Sequence, residues 1–232
     1  MEQWITFAKG PLFAFCFLVM ILGLTRVLAI QVYSLAKSKG SRLRNAPWQR
    51  IIIETAAWAA PMRHLVQGTR VFSVVSYFSH VGIILVPAFL ADHVVLWEEF
   101  LNVRLPKIGY GVAEFLTLLT IAGLLCLLGF RIFSPRLRSV SGRSDYLLLI
   151  LVLLPFVTGY LAMHPRYNPL PWDVMMLSHL LSGELLLVLV PFTKLAHVVM
   201  FFFDRASALH WQLRPGAGDR VAEELYGKEA RV

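Results

Sequence analysis

Residues 174–203 read VMMLSHLLSGELLLVLVPFTKLAHVVMFFF, with a single acidic residue (Glu184), a single basic one (Lys194) and two histidines, His179 and His197. A stretch this apolar and this long crosses a hydrocarbon layer of about 30 Å, which takes about 20 helical residues. In lipid every backbone N–H and C=O must be paired within its own segment, so the stretch reads as a helix. Four more stretches have the same character: Pro11 to about Lys37, Val71–Trp97, Tyr110–Phe133 and Tyr146–Met163. All are uniformly apolar rather than alternating, which argues against a membrane β-barrel. The first does not read as a cleaved signal, since no basic region precedes its long apolar run and no small-residue cleavage site follows.

Composition agrees. Of 232 residues, 57% are hydrophobic and 16% charged, whereas a soluble domain carries about 25% charged residues. That argues against a soluble enzyme, a disordered chain and a secreted disulfide scaffold. Cys16 and Cys126, both inside apolar runs, are too few for a disulfide framework, a tetrahedral zinc site or a four-thiolate cluster. The net charge is +8, from 22 Lys+Arg against 14 Asp+Glu. Nucleic-acid binding would need these bases on a soluble surface; here they sit in loops and read as topology.

Lys37, Lys39, Arg42, Arg44, Arg50, Arg63 and Arg70 lie between spans one and two, opposed by Glu54. Arg131, Arg136, Arg138 and Arg143 lie between spans three and four, and Arg205, Arg214, Arg220, Lys228 and Arg231 follow span five. The other side has Lys9, Arg104, Lys107 and Arg166. The positive-inside rule therefore puts the N-terminus outside and the C-terminus inside. Between spans one and two, Trp48, Ile51, Ile52, Thr55, Trp58 and Ala59 recur at helical spacing over about Pro47–Gln67, which predicts an amphipathic helix on the inner membrane surface. The expected fold is an all-α membrane protein: a five-helix domain over residues 1–203 and a cytoplasmic tail over 204–232.

Ionisable residues inside a span are functional candidates. By depth, His80 in span two pairs with His197 in span five on the inner side, and His93 pairs with His179 on the outer side. Two histidines at one depth can supply both axial ligands of a haem iron; a histidine-lined proton or metal-ion path is the competing reading. His179 and His197 are 18 residues apart, five full turns of an ideal helix and roughly 27 Å of rise, so both project from one face. His80 and His93, 13 residues apart, differ by about 140° on an ideal helix. Pro87 lies between them, and a kink there reorients the outer half. His164 closes span four as an alternative to His93 or as a wall of a substrate site. His64 and His210 read as surface residues.

The run Pro191-Phe192-Thr193-Lys194-Leu195-Ala196-His197 in span five, Ser79-His80-Val81-Gly82-Ile83-Ile84 in span two, and Phe133-Ser134-Pro135-Arg136-Leu137-Arg138 in the loop after span three carry a resemblance. Over roughly Ser76–Phe203 the chain resembles the gamma subunit of respiratory nitrate reductase, a five-helix dihaem cytochrome b family. The resemblance implies an inner haem b on His80 and His197 and an outer haem b with His179 as one ligand. The family's second span-two histidine falls where this chain has Leu90, and His93 follows three residues on. The first inner loop is longer and more basic than the family's, which implies a relative with a different partner.

The resemblance also implies a menaquinone or ubiquinone site near the outer haem, with Lys107, His164 and Asp92 as wall candidates. Partners would be iron–sulfur or multihaem cytochrome subunits alongside lipid, in a bacterial or archaeal cytoplasmic membrane. Glu184 is a proton carrier, a hydrogen-bond partner for a histidine's free N–H, or a polar interhelical contact. Arg26, Arg70, Arg131 and Lys194 either neutralise haem propionates or snorkel to the interface. With no nucleotide loop, triad or cysteine cluster, the chain is expected to carry electrons for a complex rather than complete a reaction alone. A haem-free transporter and a structural membrane anchor are the alternatives.

Overall fold

The computed structural model of the chain describes residues 1–37, 47–59, 70–212 and 216–227. It is all-helical, with no strand among the described residues. Five helices are long and apolar enough to cross a membrane: Glu2–Ser34, Val71–Phe89, Tyr110–Phe133, Arg143–Met163 and Trp172–Phe192. Over the most apolar 18 residues of each span, at most 22% are buried within the chain. Large apolar side chains such as Phe15, Phe115 and Leu147 are more than half exposed, which suits a multi-pass membrane protein and would be costly in water.

Helix α1 (Glu2–Phe7) passes through a π turn (Ala8–Leu12) containing Pro11 into α2 (Phe13–Lys37). Span one thus begins at Glu2, earlier than hydropathy suggests. α3 is Trp48–Ala59; the remainder of the expected surface helix, residues 60–67, lies outside the described residues. α4 (Arg70–Phe89) and α5 (Ala91–Leu101) are separated by Leu90, at φ −59° and ψ 135°. α6 (Tyr110–Phe133), the short α7 (Pro135–Ser139), α8 (Arg143–Met163) and α9 (Trp172–Leu189) follow. Two 3-10 turns, Val190–Phe192 and Lys194–Ala196, lead to α10 (His197–Gln212), and α11 is Ala217–Tyr226.

Span two breaks close to the kink expected at Pro87, and span five departs from the expected continuous helix. Pro87 stays helical within α4, and the chain turns extended three residues later at Leu90. Proline lacks an N–H to donate but fits helical φ, so it weakens the ladder without marking the break itself. In span five, Pro191 opens the first 3-10 turn and Thr193 is extended, at φ −128° and ψ −177°. The Thr193 hydroxyl donates to Leu189 O at 2.8 Å and accepts from Leu195 N at 3.2 Å. Such local bonds offer the backbone an alternative to the helix ladder. His179 and His197 are therefore not joined by the uninterrupted helix that would put both on one face. Past position 203 the chain continues as helix to Gln212, so the expected tail boundary falls inside α10.

The chain divides into two units, Met1–Val19 with His64–Val188, and Met20–Arg63 with Leu189–Val232. In the first, α6 packs along α4 and α8. Ser79 on α4 and Thr120 on α6 are fully buried. Each points where the facing helix has a glycine, Ser79 at Gly123 and Thr120 at Gly82, so closely that a Cβ on either glycine would collide with the facing hydroxyl. Small residues bring membrane helices into this kind of contact. Both hydroxyls donate to their own helix, to Val75 O at 2.8 Å and Leu116 O at 2.7 Å. α5 is fixed to the N-terminal helix by aromatic rings: Phe13 lies 5.4 Å from Trp97 and 5.5 Å from Phe100, and Phe17 lies 5.7 and 5.6 Å from the same two. In the second unit α3 packs on α10, with Ile51 and Thr55, one turn apart, as the buried face of α3.

Candidate functional site

The last turn of a helix leaves carbonyls without amide partners. At the end of α4 these carbonyls become the scaffold of a site. Leu90 N donates to Val86 O at 3.1 Å, and His93 Nδ1 donates to the same oxygen at 3.3 Å. Trp97 Nε1 donates to Pro87 O at 3.1 Å. Ile108 N donates to Phe89 O at 2.9 Å, folding the connection between α5 and α6 back onto the break. The interruption at Leu90 thus leaves Pro87 O to Trp97 and Phe89 O to Ile108, while His93 shares Val86 O with the last amide of the α4 ladder.

On α9, His179 Nδ1 donates 2.9 Å to Pro155 O on α8. Its ring lies against Gly159: a Cβ there would stand 2.8 Å from Cε1 and 2.9 Å from Nδ1. The rings of His93 and His179 are 6.0 Å apart between centroids and within 10° of parallel. Metal–imidazole bonds are about 2 Å long, and the ring centre sits roughly 1 Å behind the ligating nitrogen, so an ion held between two imidazoles spaces their centres about 6 Å apart.

Five histidines share one local device. His80 Nδ1 donates to Ser76 O at 2.7 Å, His164 Nδ1 to Tyr160 O at 2.8 Å and His197 Nδ1 to Lys194 O at 2.7 Å, beside the bonds of His93 and His179. A carbonyl only accepts, so Nδ1 carries the hydrogen in each, and in the neutral ring Nε2 holds the lone pair. This is the tautomer that metal-ligating histidines adopt, with the second nitrogen bonded to an outer group. His80, in the first unit, and His197, in the second, are both exposed. His64 and the side chain of His210 lie outside the described residues.

The other expected site residues do not join the His93–His179 pair. Lys107 is exposed in the α5–α6 connection. Asp92, also exposed, accepts from Tyr110 OH at 3.4 Å. His164 Nε2 lies 3.2 Å from Glu114 Oε1 and its ring stacks on Tyr160 at 4.1 Å. With Nδ1–H already committed to Tyr160 O, this contact requires a proton between ring and carboxyl. Glu114 was not legible as a partner, because it lies 50 residues from His164. Glu184 is 5% exposed, and neither of its oxygens has a hydrogen-bond partner among the described residues. It does not bond His179, whose N–H goes to Pro155 O. Arg131 Nη1 donates to Ser141 Oγ at 2.7 Å, while Arg26 and Lys194 are exposed. The Arg70 side chain is outside the described residues.

Among the described residues no group of three or more His, Cys, Asp and Glu could hold a metal ion. What the described residues bring together is a pair of near-parallel imidazoles, each with Nδ1 bonded to a backbone carbonyl.

The chain is similar to a protein of Nitratidesulfovibrio vulgaris (strain Hildenborough) whose name states no activity. The two are 38% identical over 150 residues, 64% of this chain and 65% of that protein's length. No family model matches the chain, and no solved structure does.

Proposed function

We propose that this chain is a membrane cytochrome b subunit of a respiratory oxidoreductase complex. It carries electrons between the quinone pool and a partner redox subunit through two b haems, each held by two histidines. The observation that carries the reading is the His93–His179 pair: parallel rings at the spacing an iron requires, each with Nδ1 tied to a backbone carbonyl. A haem bound there would supply reversible one-electron transfer at its iron. The chain's own part is to hold the two Nε2 atoms as ligands, with the Val86 and Pro155 carbonyls fixing the tautomer of each ring. His80 and His197 each carry the same Nδ1–carbonyl device, and the motifs around them resemble the haem-binding segments of the nitrate reductase gamma subunit.

In this reading the loops rich in Lys and Arg face the cytoplasm of a bacterial or archaeal cell, and the His93–His179 pair is nearer the outer surface. Asp92, Lys107 and His164 then lie at the end where menaquinone or ubiquinone binds. Asp92 and the Glu114–His164 pair are the groups able to take up the protons of a quinol's hydroxyls. The partner is an iron–sulfur or multihaem cytochrome subunit.

The test is a reduced-minus-oxidised visible spectrum of the purified chain. A b-type signal with two haems per chain is expected. His93→Ala removes one of them and leaves the other, whereas His164→Ala leaves both. A purified chain without haem overturns the proposal.

A further inference from the structure

α8 contributes no ring to the His93–His179 pair, yet it is what His179 rests on. Pro155 and Gly159 are four residues apart on α8, one turn, and so lie on one face. The first gives a carbonyl to His179 Nδ1 at 2.9 Å, and the second leaves room for the ring itself. A methyl group at 159 would stand 2.8 Å from Cε1, against about 3.4 Å for ordinary contact, so the ring would have to recede by about 0.6 Å. That exceeds the tolerance of roughly 0.5 Å within which a functional constellation keeps its geometry. His93 is held more loosely, through a 3.3 Å bond to Val86 O. The near-parallel setting of the two rings therefore depends on the His179 side.

We propose that Gly159 is a positioning residue: by admitting the His179 ring onto α8 it lets Nδ1 reach the Pro155 carbonyl and sets the imidazole plane parallel to that of His93. This rests on the haem reading above, because the plane matters chemically only to an iron between the rings. The relative orientation of two axial imidazoles governs the splitting of the iron d orbitals. Near-parallel planes give a ferric low-spin electron paramagnetic resonance signal of rhombic form, and crossed planes a strongly anisotropic one.

The experiment uses the full chain purified in detergent as wild type, Gly159→Ala, and Gly183→Ala, the last a glycine on α9 with nothing within 4 Å of its would-be Cβ. In Gly159→Ala the resonance of one haem shifts toward the anisotropic form while the other is unchanged, and Gly183→Ala matches wild type. Resonances of Gly159→Ala identical to wild type overturn the inference and leave the functional reading standing. Absence of haem from the wild type overturns both.

A second measurement needs no cofactor. If the collision with His179 is the cause, the loss of thermal stability from Gly159→Ala falls at least several-fold in a His179→Ala background, and a Gly159→Ala chain too unstable to accumulate recovers in the double variant. An equal loss in both backgrounds, or no recovery, overturns the inference.

Discussion

Replacing Gly82 by alanine tests the interlock between α4 and α6. The new Cβ would collide with the Thr120 hydroxyl, stand 3.2 Å from Thr120 Cβ and 3.0 Å from the Leu116 carbonyl oxygen. Neither backbone oxygen nor Cβ can swing aside. Only the hydroxyl can, and turning it away gives up its 2.7 Å bond to Leu116 O. Overpacking a close contact costs about 1–3 kcal/mol and the lost hydrogen bond about 1 kcal/mol. Together they predict a loss of roughly 2–4 kcal/mol for Gly82→Ala. The assay is equilibrium unfolding in detergent micelles, run on both single variants and the double variant Gly82→Ala/Thr120→Ala. Removing the hydroxyl and methyl of Thr120 relieves most of the collision, so the cycle should show a coupling energy of about 1–3 kcal/mol, as directly touching residues do. The Leu116 contact remains, so recovery is incomplete. A Gly82→Ala cost below about 0.5 kcal/mol, the level of a neutral surface change, would refute the packing described here, as would strict additivity of the two substitutions.

Two further substitutions probe other elements by the same unfolding assay. Trp97→Phe keeps a ring against Phe13 and Phe17 but removes the bond to Pro87 O; a loss of about 0.5–1.5 kcal/mol is expected, and no change would mean that the bond does not hold α5. Glu184→Leu removes a buried carboxyl whose oxygens have no hydrogen-bond partner among the described residues; a gain of about 1–3 kcal/mol is expected, and a loss would show that the carboxyl has a partner.

The five spans were legible because lipid imposes a simple rule: an apolar run of sufficient length must be helical. Hydropathy does not register where the backbone ladder stops, since a residue such as Leu90 is equally apolar inside a helix or at its end. The extended geometry of Leu90 is balanced by a partner from far along the chain, Ile108, which bonds Phe89 O. The break at Thr193 had a local signal, a side-chain hydroxyl two residues after Pro191, but uniform hydrophobicity overrode it. Depth and charge bias marked His93 and His179 as a pair, although the fixed azimuth of an ideal helix spoke against His93. What sequence reasoning missed was the support supplied by α8. Its trace was present as Pro155 and Gly159 at one-turn spacing, where the missing side chain of Gly159 leaves room for a ring beside the Pro155 carbonyl. Glu114 was missed because nothing local joins it to His164.

The carbonyls and rings of the His93–His179 site come from α4, α5, α8 and α9. A chain is made from its N-terminus, at about 5–20 residues per second, so the 86 residues separating His93 from His179 take roughly 4–17 s to synthesise. Throughout that interval the counterpart of His93 does not yet exist. The site therefore closes late in biogenesis, after α8 has emerged to receive His179. The pairing of the two rings follows the making of α4, α5 and α8 and is no nucleus for their folding.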